Sequence, residues 1–310
     1  MKHAITLALL LCLAATAQAQ SAPPHEYLSV SPPSAEGICV VSWEELSATP
    51  ERRQKVGSEG DTLIYLPKTL YGYYDLRSCR EFGRSTREVY PFSDGVAVAF
   101  LEVDGCYGGD ITYLIYPGSI PLNLASNCAY VSGLRYDNSG HQFHNRRLWV
   151  GRYDFYGERY KDHRYGYIDP AGNEVIPTRY LCTGSFYNGC AAVQDTGYRW
   201  MLVDTAGQRM SVHQYDRVGF TKQDAEDDYE MHPRFAGGLL PVQRGGKWGY
   251  VNSYAQEVTP YLYDLVGYLP IGSRSAYYHG FSQGLTPVQR GGKWGFIDTL
   301  GREAIPPQFD

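Results

Sequence analysis

A line of thirty residues written twice constrains this chain more than any other feature. Residues 281–310 read Phe-Ser-Gln-Gly-Leu-Thr-Pro-Val-Gln-Arg-Gly-Gly-Lys-Trp-Gly-Phe-Ile-Asp-Thr-Leu-Gly-Arg-Glu-Ala-Ile-Pro-Pro-Gln-Phe-Asp, and residues 235–264 carry nearly the same line. Trp248 and Trp294 stand 46 residues apart, and the opening Phe, the Gly-Gly pair, the Glu and the closing Asp keep that offset. A fixed period of this length marks a tandem-repeat architecture.

The unit has a physical reading of its own. Residues 285–290 and 293–298 are strand-length and apolar-rich, and only Gly291-Gly292 separates them. Two glycines supply the positive φ angles of a tight hairpin turn. The second run ends in Asp298-Thr299-Leu300-Gly301, with Asp and Gly at the ends of a type I turn, and a short third strand stops at Pro306-Pro307. Each unit is therefore a three-stranded meander. Trp294 and Phe296 face one way and Gly295 and Ile297 the other, so neither face is cleanly polar. A small sheet that is apolar on both sides needs a neighbour on each. The aromatic residues Tyr165, Trp200, Trp248 and Trp294 are the expected anchors.

These residues resemble the WG (KWG) repeat family of bacterial proteins, named for Lys247-Trp248-Gly249 and Lys293-Trp294-Gly295. The Phe-x-x-Gly-Leu opening, the Tyr-Val or Phe-Ile pair and the Glu-x-x-Pro element fit as well, most closely over residues 235–310. The resemblance implies a non-catalytic, β-rich interaction array with no shared catalytic residues. The fold class expected is all-β, a tandem array of three-stranded antiparallel meander units. An open, twisted, solenoid-like array suits units of unequal length, with a propeller-like closed ring as the alternative.

Residues 1–19 have Lys2, an apolar stretch from Ala4, and Ala17-Gln18-Ala19 as a small-x-small cleavage site, the pattern of a secretory signal peptide cut after Ala19. The apolar stretch is shorter than the roughly 20 residues of a membrane span, and no later stretch is apolar enough for one. The expected location is periplasmic or secreted. Removing Lys2 takes the formal charge from -5 to -6, which argues against nucleic acid as a partner.

Residues 20–91 form an irregular N-terminal region. Ser42 to Glu45 has capping-box spacing, which predicts a short helix there. Tyr74-Asp75-Leu76 echoes Tyr263-Asp264-Leu265, so a degenerate unit is expected to end near Asp75. Residues 92–310 form the repeat array, with units opening near Phe92, Phe143, Phe186, Phe235 and Phe281. In the unit opening at Phe186, Met201 replaces the Gly, which leaves a close backbone approach there in doubt.

Six cysteines follow the signal peptide: Cys39, Cys79, Cys106, Cys128, Cys182 and Cys190. An even number in an exported chain suggests disulfides, and pairing nearest neighbours in sequence would join them in that order. Cys190 also occupies the slot of Leu239 and Leu285, where it reads as a buried apolar residue.

No catalytic constellation emerges. Asp169, Asp204 and Asp298 recur at one phase of the unit, where turn chemistry accounts for them. His141 and His144 have no acidic third ligand nearby, and no metal or cofactor is expected. Two features point to partners. Arg164, Arg199, Lys247 and Lys293 each precede the aromatic anchor and would line up along one side to meet an acidic partner or an anionic glycan, or each would pair locally with a carboxylate. Asp224, Glu226, Asp227 and Asp228 form an acidic insertion between two units, which would dock a basic protein or collect Ca²⁺, although its spacing is not an EF-hand loop, or serve as a solvated connector. The expectation is a binding protein with a protein partner, one concrete form being an immunity-type inhibitor of a toxin. A glycan-binding module is the alternative, and an enzyme with its site in residues 39–128 is a third.

Overall fold

The computed structural model describes residues 26–46, 51–54, 61–64, 67–85, 89–101, 111–117, 122–123, 142–152, 164–219, 233–270, 276–278 and 280–310. Every regular element among them is a β-strand, and the sheets are small and antiparallel, as the repeat predicts. The chain divides into two compact units, Met1–Cys128 with His141–Phe143, and Ala129–Gly140 with His144–Asp310.

In the first unit, β1 (Ser29–Val30) pairs with β2 (Ile38–Leu46), and β3 (Glu51–Gln54) with β4 (Asp61–Ile64). The strands β5 (Pro67–Asp75) and β6 (Arg80–Ser85) complete a sheet in the order β1-β2-β5-β6, and β7 (Ala97–Leu101), β8 (Ile111–Ile115) and β9 (Leu122–Asn123) form another. The helix expected at residues 42–46 is instead part of β2, which runs in nine-residue register with β5. Alternation decides it. Cys39, Val41 and Trp43 are buried on one face, and this two-residue period overrides a three-residue capping spacing.

Asp75, where a degenerate unit is expected to end, stands instead at a turn between two paired strands. Tyr71-Gly72-Tyr73-Tyr74-Asp75 matches Tyr165-Gly166-Tyr167-Ile168-Asp169, and Asp75 heads the turn into β6, accepting the Arg77 amide at 2.8 Å and the Ser78 hydroxyl at 2.7 Å. Asp75 is thus the mid-unit turn residue, the counterpart of Asp169 rather than of Asp264.

The second unit opens with β10 (Leu148–Arg152), β11 (Arg164–Ile168) and β12 (Glu174–Tyr180), one meander. The next sheet joins β13 (Cys182–Thr183), β14 (Cys190–Gln194) and β15 (Trp200–Asp204), and the one after it β16 (Arg217–Val218), β17 (Leu239–Arg244) and β18 (Lys247–Asn252). Then come β19 (Leu265–Val266), a hairpin of β20 (Tyr268–Pro270) and β21 (Ala276–Tyr278), and β22 (Leu285–Arg290), β23 (Lys293–Asp298) and β24 (Glu303–Phe309) in the sheet order β19-β22-β23-β24. The short strands β13, β16 and β19 follow directly on the tail of one repeat and pair into the sheet of the next.

The turns form as the sequence requires. Gly245-Gly246 and Gly291-Gly292 have φ of +59°, +79° and +59°, +78°, the paired left-handed residues of a type I′ hairpin. Asp298 Oδ1 accepts the amides of Leu300 at 2.9 Å and Arg302 at 3.0 Å, and Asp169, Asp204 and Asn252 hold the same two positions of their turns. Those carboxylates are turn residues.

Within the second unit, successive sheets bury their facing sides against one another. Trp149, Tyr165 and Tyr167 share a cluster with Ala191, Val193 and Val203 of the next repeat. Trp200 and Leu202 share one with Leu240, Val242 and Val251, and Trp248 and Tyr250 share one with Val288 and Ile297. The aromatic face of one repeat is thus covered by the aliphatic face of its successor, which is why the second strand is apolar on both sides. A buried aromatic of this size contributes about 3–5 kcal/mol against truncation to Ala.

The Gly of the Trp-Gly pair has a separate cause. A Cβ on Gly166 would stand 2.4 Å from the Ile176 carbonyl oxygen, and one on Gly295 would stand 2.5 Å from that of Ile305. In both repeats the third strand bulges onto the second at its Pro. At Gly249 the approach is looser, 3.0 Å to the Thr259 oxygen. There, and in the Met201 repeat, the third segment returns through separate bridges, Trp248 with Tyr263 and Val251 with Glu257, and Trp200 with Tyr215 and Val203 with Arg209. Met201 therefore sits where the approach relaxes.

Candidate interaction surface

Each aromatic anchor pairs with a second ring fifteen residues on: Tyr165 with Tyr180, Trp200 with Tyr215, Trp248 with Tyr263 and Trp294 with Phe309. Beside this pairing lies a polar clasp. Arg199 is bonded to Asp216, Lys247 to Asp264 and Lys293 to Asp310. Asp216 Oδ2 also accepts the Gly245 amide, and Asp264 Oδ2 the Gly291 amide, each at 2.7 Å. One carboxylate thus ties the cation of its own hairpin to the glycine turn of the next. Three of the four predicted cations are occupied in this way. In the repeat of Arg164, Leu181 stands at the position of that Asp.

At Asp264 the clasp lowers the pKa of the carboxyl. The Lys247 ammonium and the Gly291 amide both bond the ionised form of Asp264 and hold it below the ordinary carboxylate range. Asp298 is lowered by the Arg302 amide and guanidinium, partly offset by desolvation.

A second set of polar links joins repeats through the Glu of Glu-x-x-Pro. Glu303 accepts from Tyr263 of the preceding repeat at 3.2 Å and from both terminal nitrogens of Arg290 at 2.6 and 3.2 Å. Glu257 accepts from Tyr261 at 2.8 Å and lies 3.8 Å from His213. The opening turns link as well. The Gly189 amide donates to Asn145 at 3.0 Å, Tyr187 stacks on Phe235 with centroids 5.3 Å apart, and Phe281 packs on Gly237. The roles of the Glu and the opening Phe were invisible in a single unit; only the 46-residue alignment of one unit on the next could have suggested that both reach across.

The residue patterns that define the repeat are those of a known family. Its model, described as the WG containing repeat, matches residues 165–199 and 294–310. Over those two stretches the chain carries the WG repeat. No curated protein matches it. Among solved structures, the complex of KlAtg21 with the coiled-coil of AgAtg16 is similar at a TM-score of 0.36 and 9% identity, over 89% of this chain and 79% of that one.

The remaining predicted residues fall partly outside the described residues and partly in the core. Asp224, Glu226, Asp227 and Asp228, together with Cys106, Cys128 and His141, lie outside the described residues. Cys39 is buried and Cys79 half-buried, both against one core cluster. Cys182 faces Gln194 across β13 and β14, whereas Cys190 sits at the other end of β14, opposite Asp204. Four residues of strand, roughly 13 Å, separate those positions, beyond the about 7 Å that a disulfide spans between Cα atoms. The nearest-neighbour pairing of Cys182 with Cys190 therefore fails. Cys190 is fully buried, the apolar residue its slot suggested, and burial pushes its thiol up to about 12. Among the described residues no group of His, Cys, Asp and Glu could hold a metal ion, and no helix is long and apolar enough to cross a membrane.

Proposed function

We propose that this WG-repeat chain is an exported, non-catalytic protein that binds a protein partner in the cell envelope, one form of which is an immunity-type inhibitor of a toxin. The observation that supports this reading is how the repeat residues are used. Turn aspartates, clasp carboxylates, Glu and aromatic anchors are all engaged within or between repeats. Side chains so engaged make a scaffold, and a scaffold leaves recognition to its edges and insertions. The acidic insertion at Asp224, Glu226, Asp227 and Asp228 is the first candidate.

The test is affinity capture from envelope extracts with the mature chain and with Asp224, Asp227 and Asp228 changed to Asn. One protein captured stoichiometrically, and lost with the variant, is the expected result. Capture by both forms moves the site to another surface, and capture of no protein by either form overturns the reading. A glycan-binding role is the second reading. It draws on the Tyr187–Phe235 stack and on Tyr198 and Tyr254, which are well exposed, since aromatic rings present flat apolar faces to sugar rings. Retention of both forms on envelope polysaccharide would favour it.

A further inference from the structure

In three seams of the second unit the aromatic face of one repeat is covered by the aliphatic face of its successor. The repeat of β22, β23 and β24 presents the same face uncovered among the described residues. Leu285, Trp294, Phe296 and Ile305 are only half-buried there, whereas Leu239, Trp248 and Tyr250 of the preceding repeat are buried. The contrast is largest at the closing ring. Phe309 is 51% exposed, and its counterparts Tyr180, Tyr215 and Tyr263 are buried. Trp294 is paired with Phe309 and Phe296 with Ile305, so these side chains share one side of the sheet. A repeat that nothing covers ordinarily presents a polar outer face, and an apolar one marks a surface for a partner.

The polar half of the seam is open as well. Asp310 is bonded to Lys293 as Asp216 is to Arg199 and Asp264 to Lys247. In the two inner clasps the second carboxylate oxygen accepts the amide of the next glycine turn. That of Asp310 accepts from no amide among the described residues, and the side chain is 89% exposed against 31% for Asp264. The six charged residues of this repeat form three pairs, Lys293 with Asp310, Arg290 with Glu303 and Arg302 with Asp298. No surplus of either sign therefore selects an occupant, and apolar fit decides. Pro306 and Pro307 lie within β24 and lack the amides that an added strand would use. An occupant accordingly stacks on the face and does not extend the sheet.

We propose that this face seats a β-hairpin of the repeat type carried by a partner protein, with aliphatic side chains of two adjacent strands against the rings and a glycine-turn amide on Asp310. The seams within the chain are the template. They set Val242 and Val251 against Trp200, and Val288 and Ile297 against Trp248, with the Gly245 or Gly291 amide on the carboxylate. This rests on the protein-binding reading above and names the chemistry of the partner and the face that holds it.

The test titrates the mature chain into a dye-labelled, head-to-tail cyclised peptide of residues 285–298, followed by fluorescence anisotropy. The peptide presents Val288 and Ile297 on one face. Saturable binding is expected, and none by the same peptide with Val288→Ser and Ile297→Ser, which keeps its aromatic face. Phe309→Ala in the chain should lower the affinity about tenfold or more, and Asp310→Asn about threefold. Phe309 is largely exposed, so its truncation should fold, and Asp310→Asn gives a second reading at a side chain that supports no core. Absence of saturable binding, equal binding of the Ser-bearing peptide, or unchanged affinity in Asp310→Asn or in a folded Phe309→Ala would each overturn the proposal. So would a dimer in sedimentation velocity that Phe309→Ala dissociates while the hairpin does not bind, since the occupant would then be a second copy stacked face to face. An envelope protein captured equally by wild type and Phe309→Ala would sink this face and leave the binding reading standing. Hairpin binding here with no envelope protein captured would do the reverse.

Discussion

Gly295→Ala tests whether the Gly of the Trp-Gly pair is there for backbone proximity. The added Cβ would stand 2.5 Å from the Ile305 oxygen, 2.6 Å from the Pro307 nitrogen and 2.8 Å from the Pro306 carbonyl carbon, all main-chain atoms that cannot rotate away. To reach an ordinary contact the bulge in β24 must retreat by somewhat under 1 Å, a displacement in the range where overpacking costs about 1–3 kcal/mol. Loss of glycine's freedom in the unfolded chain returns about 0.4–1 kcal/mol. The net expectation is a destabilisation of about 1–2 kcal/mol, read as a lower urea midpoint at constant slope. Gly249→Ala is the internal control. Its nearest contact is 3.0 Å, so a shift of a few tenths of an ångström suffices and the net effect should be under about 0.5 kcal/mol. If Gly295→Ala matches wild type, or Gly249→Ala is the more harmful, proximity is not what selects the glycine.

Three further outcomes follow from the seams. Trp200→Ala should cost about 3–5 kcal/mol by thermal or urea unfolding, because its ring is 5% exposed and packs between two repeats; a loss below 1 kcal/mol would remove it as an anchor. Asp264→Asn should cost about 0.5–1 kcal/mol at pH 7, since the Lys247 pair is partly exposed. The wild-type carboxyl is depressed in the folded state, so its contribution is complete above its unfolded value of about 3.9 and is lost as pH falls through the folded value; the difference between the two proteins should vanish in acid, and a gap that persists at low pH would contradict the clasp. Cys190, buried and with its thiol pushed up to about 12, should resist iodoacetamide at pH 8 in the native chain and react once unfolded, as peptide mass mapping would show.

Much of this fold was legible because its local signals agree. The Gly-Gly hairpins, the Asp-headed turns and the Trp face each follow from residue types at fixed offsets, and the structure places them as those offsets require. Asp75 and Asp264 both follow a Tyr, and sequence alone does not tell a turn between strands from a unit end. The preceding Tyr-Gly-Tyr, which matches Tyr165-Gly166-Tyr167, carried the correct phase. At Ser42 a capping pattern competed with strand alternation, and nine residues of pairing with β5 outweigh one turn of helix. The occupied cations show the limit in another way. A row of Arg and Lys looks like a docking stripe until the carboxylate seventeen residues on is seen to lie beside it.

The strands β13, β16 and β19 give the array a property that its repeat period conceals. Each leaves the end of one repeat and becomes the first strand of the next sheet, so the segment that duplicates in sequence is not the segment that unfolds as a body. An excision made at the 46-residue boundary would take a strand from the sheet that follows. Melting of one repeat should therefore spread to its successor, and the array should lose structure in steps larger than a single unit.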